Sequence, residues 1–289
     1  MEKIEIATRL LAVCAGATLL TGCPSVSTFG LARTLNQGAV QGWVAPGGGA
    51  SFVSTTSGTS TATATAAYPV LEGGVRYGIT DRVELGGRLG FSGVSVDGKF
   101  GLVRSPNMEH GVNLSLDPGV GFIGYGASAG SGSSSSSTFI GVLNLTLPVL
   151  FGIDFGGHEL VLGPRLIDQV FFGNVASSSG GTSASGSGTG DVLYVGGSIG
   201  FAIRASAAVR IIPEVSVGVP VWASFDQSST SSGFGGLAFQ GGVAIVFGSS
   251  NQYEAPEPPP PPPTMQPPPP PPGPPPPAPP PPAPPPPGP

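Results

Sequence analysis

The chain has 289 residues, a formal net charge of −5, 9% charged and 39% hydrophobic residues, 48 glycines and 35 prolines. Glycine is more than twice as common as usual and charge less than half its usual share, which excludes an ordinary helical or α/β enzyme. The 11 Lys and Arg are scattered and outnumbered by 16 Asp and Glu, so no basic stripe can neutralise phosphates and nucleic acid is excluded as a partner.

The prolines divide the chain, because 26 of the 35 lie between Pro256 and Pro289. An N-terminal segment (residues 1–22), a short linker (23–37), a Gly/Ser/Val-rich body (38–250) and a Pro-rich tail (251–289) follow one another, and only the body has the composition to build a core. Leu10 to Leu20 is an apolar run of 11 residues, too short for a membrane helix but of the length of a secretory signal, with Lys3 and Arg9 before it. It ends Leu20-Thr21-Gly22-Cys23, which resembles the lipobox of bacterial lipoproteins. That resemblance implies cleavage before Cys23, lipidation of Cys23 and an N-terminal lipid anchor. Cys14 leaves with the signal, so a single Cys remains and no CxxC, zinc or thiol chemistry is expected.

Period-2 alternation sorts the body into two faces. In 83–91, Val83, Leu85, Leu89 and Phe91 oppose Glu84, Gly86, Arg88 and Gly90. In 112–125, Val112, Leu114, Leu116, Val120 and Phe122 oppose Asn113, Ser115, Asp117, Gly119 and Gly121. In 192–204 and 210–222, Leu193, Val195, Ile199, Phe201 and Ile203, then Val215, Val217, Val219 and Val221, oppose small or charged residues. In 237–247, Leu237, Phe239, Val243, Ile245 and Phe247 oppose Ala238, Gln240, Gly242 and Ala244. The segments have the length of tilted membrane crossings, and the small, charged face is no dry core, so the bulky face is expected to look out to lipid.

Ten segments are predicted, at about 38–51, 67–79, 82–91, 94–104, 111–125, 138–153, 159–172, 190–204, 208–223 and 234–248. Long polar loops are expected at 52–66, 126–137, 173–189 and 224–233, short turns at 80–81, 105–110, 154–158 and 205–207, and a low point of the loop rim at Ser92–Gly93. This pattern, with Val243-Ala244-Ile245-Val246-Phe247 as a closing strand, resembles an outer-membrane β-barrel protein of Gram-negative bacteria. The resemblance implies an all-β fold, a transmembrane antiparallel up-and-down barrel in the outer membrane, with outer-membrane lipid as its partner. Placing a Pro-rich segment after the closing strand departs from the usual pattern of that class.

Inside the barrel a charge network is expected. Pairing Gly78 with Arg82 across a three-residue turn sets Arg76 opposite Glu84 and Glu72 opposite Arg88, two opposite-charge pairs at once. Asp97, Lys99, Asp117, Arg204, Arg210 and Glu214 fall on the same face, while Asp168, three residues from Arg165, has no assignment. Ten strands enclose a lumen that such side chains largely fill. A closed structural or surface-display scaffold is therefore the leading reading. A narrow porin-like channel for small solutes is the alternative, and a soluble surface lipoprotein with a β-sandwich the weaker one.

No enzyme and no cofactor is expected. The two histidines, His110 and His158, fall in short turns, and the serine clusters at 133–137 and 177–179 have no base beside them. The tail is expected to be a disordered polyproline II spacer, on the order of 100 Å if continuous at roughly 3.1 Å per residue, reaching a periplasmic or cell-wall contact.

Overall fold

The computed structural model describes residues 25–57, 60–106, 109–131, 134–179, 182–225, 233–248 and Gly273. The expectations attached to the signal peptide, to lipidated Cys23 and to the proline tail lie outside the described residues. The strands are β1 (Val40–Ser57), β2 (Ser60–Thr80), β3 (Val83–Gly90), β4 (Gly93–Val103), β5 (His110–Leu116), β6 (Gly119–Ser131), β7 (Ser134–Phe155), β8 (His158–Leu162), β9 (Arg165–Ser179), β10 (Thr182–Arg204), β11 (Val209–Phe225) and β12 (Gly233–Gly248).

These twelve form ten staves, because two staves are each interrupted by a proline that has no amide to donate. β5 and β6 run in line between β4 and β7, broken at Asp117-Pro118, and β8 and β9 run in line between β7 and β10, broken at Gly163-Pro164. Backbone hydrogen bonds carry the wall across both breaks on either side, from Gly98 N–H to the Pro118 carbonyl (2.9 Å) and Asp117 N–H to the Pro148 carbonyl (3.0 Å) at the first, and from Val149 N–H to the Pro164 carbonyl (2.8 Å) and Gly163 N–H to the Ser198 carbonyl (2.9 Å) at the second. The circuit closes where β12 pairs antiparallel with β1, from Gln41 opposite Gly248 to Thr56 opposite Gly233. A closed ten-stave antiparallel barrel leaves no sheet edge, and it excludes the β-sandwich reading.

The two faces are sorted as the alternation requires. Val75, Leu85, Leu89, Phe91, Ile199 and Val221 point outward and are 53–66% exposed, while Glu72, Glu84, Lys99, Glu159 and Gln240 point inward and are at most 1% exposed. A chain that shields its carboxylates and shows its leucines to the surroundings inverts the soluble pattern, and the arrangement is stable only where those surroundings are hydrocarbon. Arginine in place of Val215, midway along the outward row Ile211, Pro213, Val215, Val217, Val219, Val221, should cost about 2–4 kcal/mol, read as a lower urea midpoint in lipid vesicles.

The short turns Asp81–Arg82, Gly156–Gly157 and 205–208 gather at one rim with Val103, His110, Val40 and Gly248. By the asymmetry of outer-membrane barrels this is the inner, periplasmic rim. At the outer rim the segments expected as loops continue as paired strands: 52–57 with 60–66, 126–131 with 134–137, and 173–179 with 182–189. Backbone pairing there outlasts the hydrophobic alternation, so side-chain pattern underestimates strand length. The β3–β4 hairpin ends at Gly90 and Gly93 and forms a low point in the outer rim, with Gly93 at φ +97°, a backbone that suits glycine.

Candidate functional site, the occupied lumen

The lumen is filled by the chain's own N-terminal segment. From Ala39 at the inner rim, residues 38 back to 25 climb inside the barrel to the level of Gln240, which lies opposite Gly49 about halfway up β1. Residues 23–37 were expected to be a lipid-bearing linker; the described part of that stretch is largely buried, with Val26, Phe29, Leu31, Ala32 and Leu35 at 1–4% exposure. Phe29 and Leu31 pack against Trp43, Ala45, Ala202, Ile212, Ala244 and Val246, Ala32 against Leu150 and Val161, and Val26 against Ile167, Ala238 and Tyr194.

This segment has no strand or helix, so its amides must find partners elsewhere. The wall supplies them with charge. Glu214 accepts from Thr28 N–H (2.7 Å) and Phe29 N–H (2.8 Å), Glu159 from Ala32 N–H (2.9 Å) and Arg33 N–H (3.3 Å), Glu84 from Leu35 N–H (2.8 Å), and Gln240 Oε1 from Val26 N–H (2.8 Å). Inward cations serve the carbonyls: Arg88 donates to Ser27 O (2.9 Å) and Thr28 O (3.0 Å), and Lys99 Nζ to Leu31 O (2.9 Å). Charge-assisted bonds of this kind are the stronger class. Arg33 donates to Ser105 O at 2.9 Å; burial pulls its pKa below the ordinary arginine value, nearby Arg104 adds to the shift, and Asp154 and Glu159 oppose it.

Around this segment the wall charges pair with one another. Arg76 meets Glu84 (2.8 Å), Asp97 (2.8 Å) and Asp117 (2.9 Å); Lys99 meets Glu84 (2.7 Å); and Arg88 lies 3.4 Å from Glu72 and 5.1 Å above the Trp43 ring. The register that led to two of these pairs is corrected. Gly78 stands opposite Glu84, Arg76 opposite Gly86, Gly74 opposite Arg88 and Glu72 opposite Gly90, a shift of two residues. Thr80 pairs with Val83 across the two-residue turn Asp81-Arg82, and the pairing skips Ile79. A shift of two keeps every side chain on its face, and the long Arg and Glu side chains meet diagonally rather than directly across.

The remaining expected residues are spread around the lumen. Glu214 sits under residues 28 and 29, with Arg165 Nη2 at 3.8 Å; Arg210 Nη1 lies 3.9 Å from Glu159. Arg204 stands opposite Arg210 near the inner rim, where its amide donates to His158 Nδ1 (3.2 Å). His158 stacks on Phe201 (ring centroids 6.0 Å apart) and lies tilted beside Phe155, which itself stacks on Phe201, and His110 lies opposite Phe155. Asp168 points outward beside Asp191, on the face opposite to Arg165. The residues not foreseen are Glu159, Arg165 and residues 25–35. Parity within β8 puts Glu159 on one face with Val161, but the run Leu160-Val161-Leu162 hides it.

No family model matches this chain, and no curated protein does. Solved structures with a similar course are outer-membrane proteins. The outer membrane protease OmpT from Escherichia coli gives a TM-score of 0.46 at 9% identity, covering 78% of this chain and 100% of that one. The translocator domain of the autotransporter NalP from Neisseria meningitidis gives 0.42 at 12% identity, covering 84% and 95%, and OprG from Pseudomonas aeruginosa 0.31 at 11%, covering 75% and 99%. The assignment to the outer-membrane barrel class is carried by the closed wall and its outward apolar belt.

Proposed function

We propose that the protein is a closed outer-membrane scaffold that displays long polar hairpins at the cell surface. The observation that supports this reading is the lumen, occupied by residues 25–37 and bonded to them by wall charges on several sides. The scaffold has no catalytic step and needs no cofactor. In planar bilayers, the full-length protein purified from outer membranes should give no discrete conductance steps. Steady, ion-selective steps from the intact protein, altered by Arg88→Ala, would replace this reading with a narrow porin-like channel.

The lipid anchor on Cys23 and the cell-wall contact of the 251–289 tail belong to the same proposal. The anchor carries a geometric condition. Cys23 is two residues from Ser25, at most about 7 Å of extended chain, and Ser25 is held inside the lumen by Glu72 and Gln240. A lipid on Cys23 and a seated segment therefore compete for the first residues of the mature chain. Mass spectrometry of the mature N-terminus, alongside the conductance record, tests the two together: an acylated protein that still gives no steps would mean the acyl chains leave through the outer mouth.

A further inference from the structure

The seated segment has a direction. Followed from Ala39 at the inner rim back to Ser25 it climbs, so Ser25 is its outer end. The Ser25 hydroxyl donates to Glu72 Oε2 (3.0 Å), and the other oxygen of the same carboxylate accepts from Ser92 (2.6 Å), in the turn between β3 and β4. One carboxylate thus holds together the end of the seated segment and the lowest point of the outer rim. Gln240 Nε2 also donates to the Ser25 hydroxyl (3.2 Å), and Val26 packs against Ile167 and Ala238. Residues 26–37 fill the lumen between Ser25 and the inner rim, which leaves no room there for a second pass of the chain.

The wall around Ser25 is uneven. On one side of the β3–β4 turn β2 rises from Glu72 to Ser60, and on the other β6 rises from Phe122 to Ser131, on the order of 30–40 Å of strand at about 3.3 Å per residue. Between them β3 and β4 stop at Gly90 and Gly93 and leave a notch. A chamber of about 70 Å³, lined in part by Ser25, Ser92 and Gly93, joins the seat to this notch. Two residues of extended chain, about 7 Å, clear the wall here and not over the flanking hairpins. Just outside, Leu71, Leu89, Phe91, Val94 and Phe122 form one apolar patch, 41–66% exposed, with Leu89 opposite Val94 and Val94 opposite Phe122. We infer that the chain leaves the lumen through this notch and that the acyl chains of Cys23 lie on the patch, in the outer leaflet. Anchor and seat then cease to compete, since the lipid crosses the wall at the one place within reach of Ser25. The two ends of the barrel chain are held on opposite sides of the membrane, the anchor outside and Gly248 at the periplasmic rim. The inference rests on the proposed lipidation of Cys23 and on the seated segment, and not on whether the barrel conducts.

The experiment uses the full-length protein in intact cells, with a photoreactive side chain at the notch, Phe91→p-benzoylphenylalanine, or on the outward face of the inner rim, Phe247→p-benzoylphenylalanine. Unboiled gel mobility checks that each variant folds, and Val94→p-benzoylphenylalanine takes the place of the first if it does not. After irradiation and digestion, the peptide that begins at Cys23 is followed by mass spectrometry. Acylated Cys23 is expected, with its acyl chains crosslinked from the notch position tenfold or more above the level from position 247. Acylated Cys23 with no crosslink from the notch, or with as much from position 247, overturns the inference and leaves the anchor standing. Cys23 without acyl chains, or a mature chain that begins after it, removes the anchor itself and the inference with it, so the two failures are told apart by the mass of one peptide.

Discussion

Deletion of residues 25–37 should turn a silent barrel into a conducting one. These residues occupy the lumen from the inner rim to mid-height, and the wall facing them is lined with charge. The barrel should survive their loss, because the carboxylates they engage have cations close by: Arg165 stands 3.8 Å from Glu214, Arg210 3.9 Å from Glu159, and Arg76 and Lys99 already touch Glu84. Stability should fall nevertheless. Val26, Phe29, Leu31 and Leu35 are 2–4% exposed, and burying a side chain of this kind contributes about 1.5–3 kcal/mol. Planar-bilayer recording should show steps for the deletion variant and none for the intact protein, and the temperature at which the fast-migrating gel band is lost should drop. A silent deletion variant with normal gel mobility would mean that the wall charges alone close the lumen. Phe29→Asp is a milder version, since it puts a carboxylate against Trp43 and Ile212 and should unseat the segment without shortening the chain.

Arg76→Met should be the most destabilising single substitution in the wall. One guanidinium, 6% exposed, neutralises Glu84, Asp97 and Asp117, and among the described residues only Glu84 of these three has a second cation in contact, Lys99. Removing one partner from a buried ion pair typically costs 3–5 kcal/mol, since it strands the other charge. A loss of about that size is expected in urea titrations of the protein in lipid vesicles. Arg76→Lys, which restores charge without the planar fork, should recover part of it. Arg82→Ala, at an exposed turn position beside the same hairpin, should stay within about 0.5 kcal/mol of the parent. Equal effects of Arg76→Met and Arg82→Ala would show that the buried cluster contributes little.

The barrel is legible in the amino-acid sequence because its surroundings enforce a strict period of two. Rows such as Val215, Val217, Val219 and Val221 name the outward face, and the ten staves follow from ten such rows. What escapes the pattern is whatever the period does not govern. A register shift of two residues leaves both faces unchanged, so alternation is silent about whether Glu84 stands opposite Arg76 or Gly78. The upper hairpins are written in Ser, Thr, Gly and Ala, which carry no contrast between faces, and they read as loops although their backbones pair. Arg165 and Asp168 were ambiguous because they are three apart; the strand puts one inside and the other outside. The lumen segment is the largest omission. It has no repeating geometry, and its partners lie up to 215 residues away, as for Ser25 and Gln240, so nothing local marks it.

Those long separations also set an order of assembly. The amides of residues 26, 28 and 29 are gripped by Glu214 of β11 and Gln240 of β12, the last two strands to be made, with Arg88 of the early β3 holding only the carbonyls of Ser27 and Thr28, while the segment itself is made before the first. Until β12 meets β1 the N-terminal segment has half a socket at most. Sealing the wall and filling it are thus one cooperative step, in which the end of the chain locks its own beginning in place.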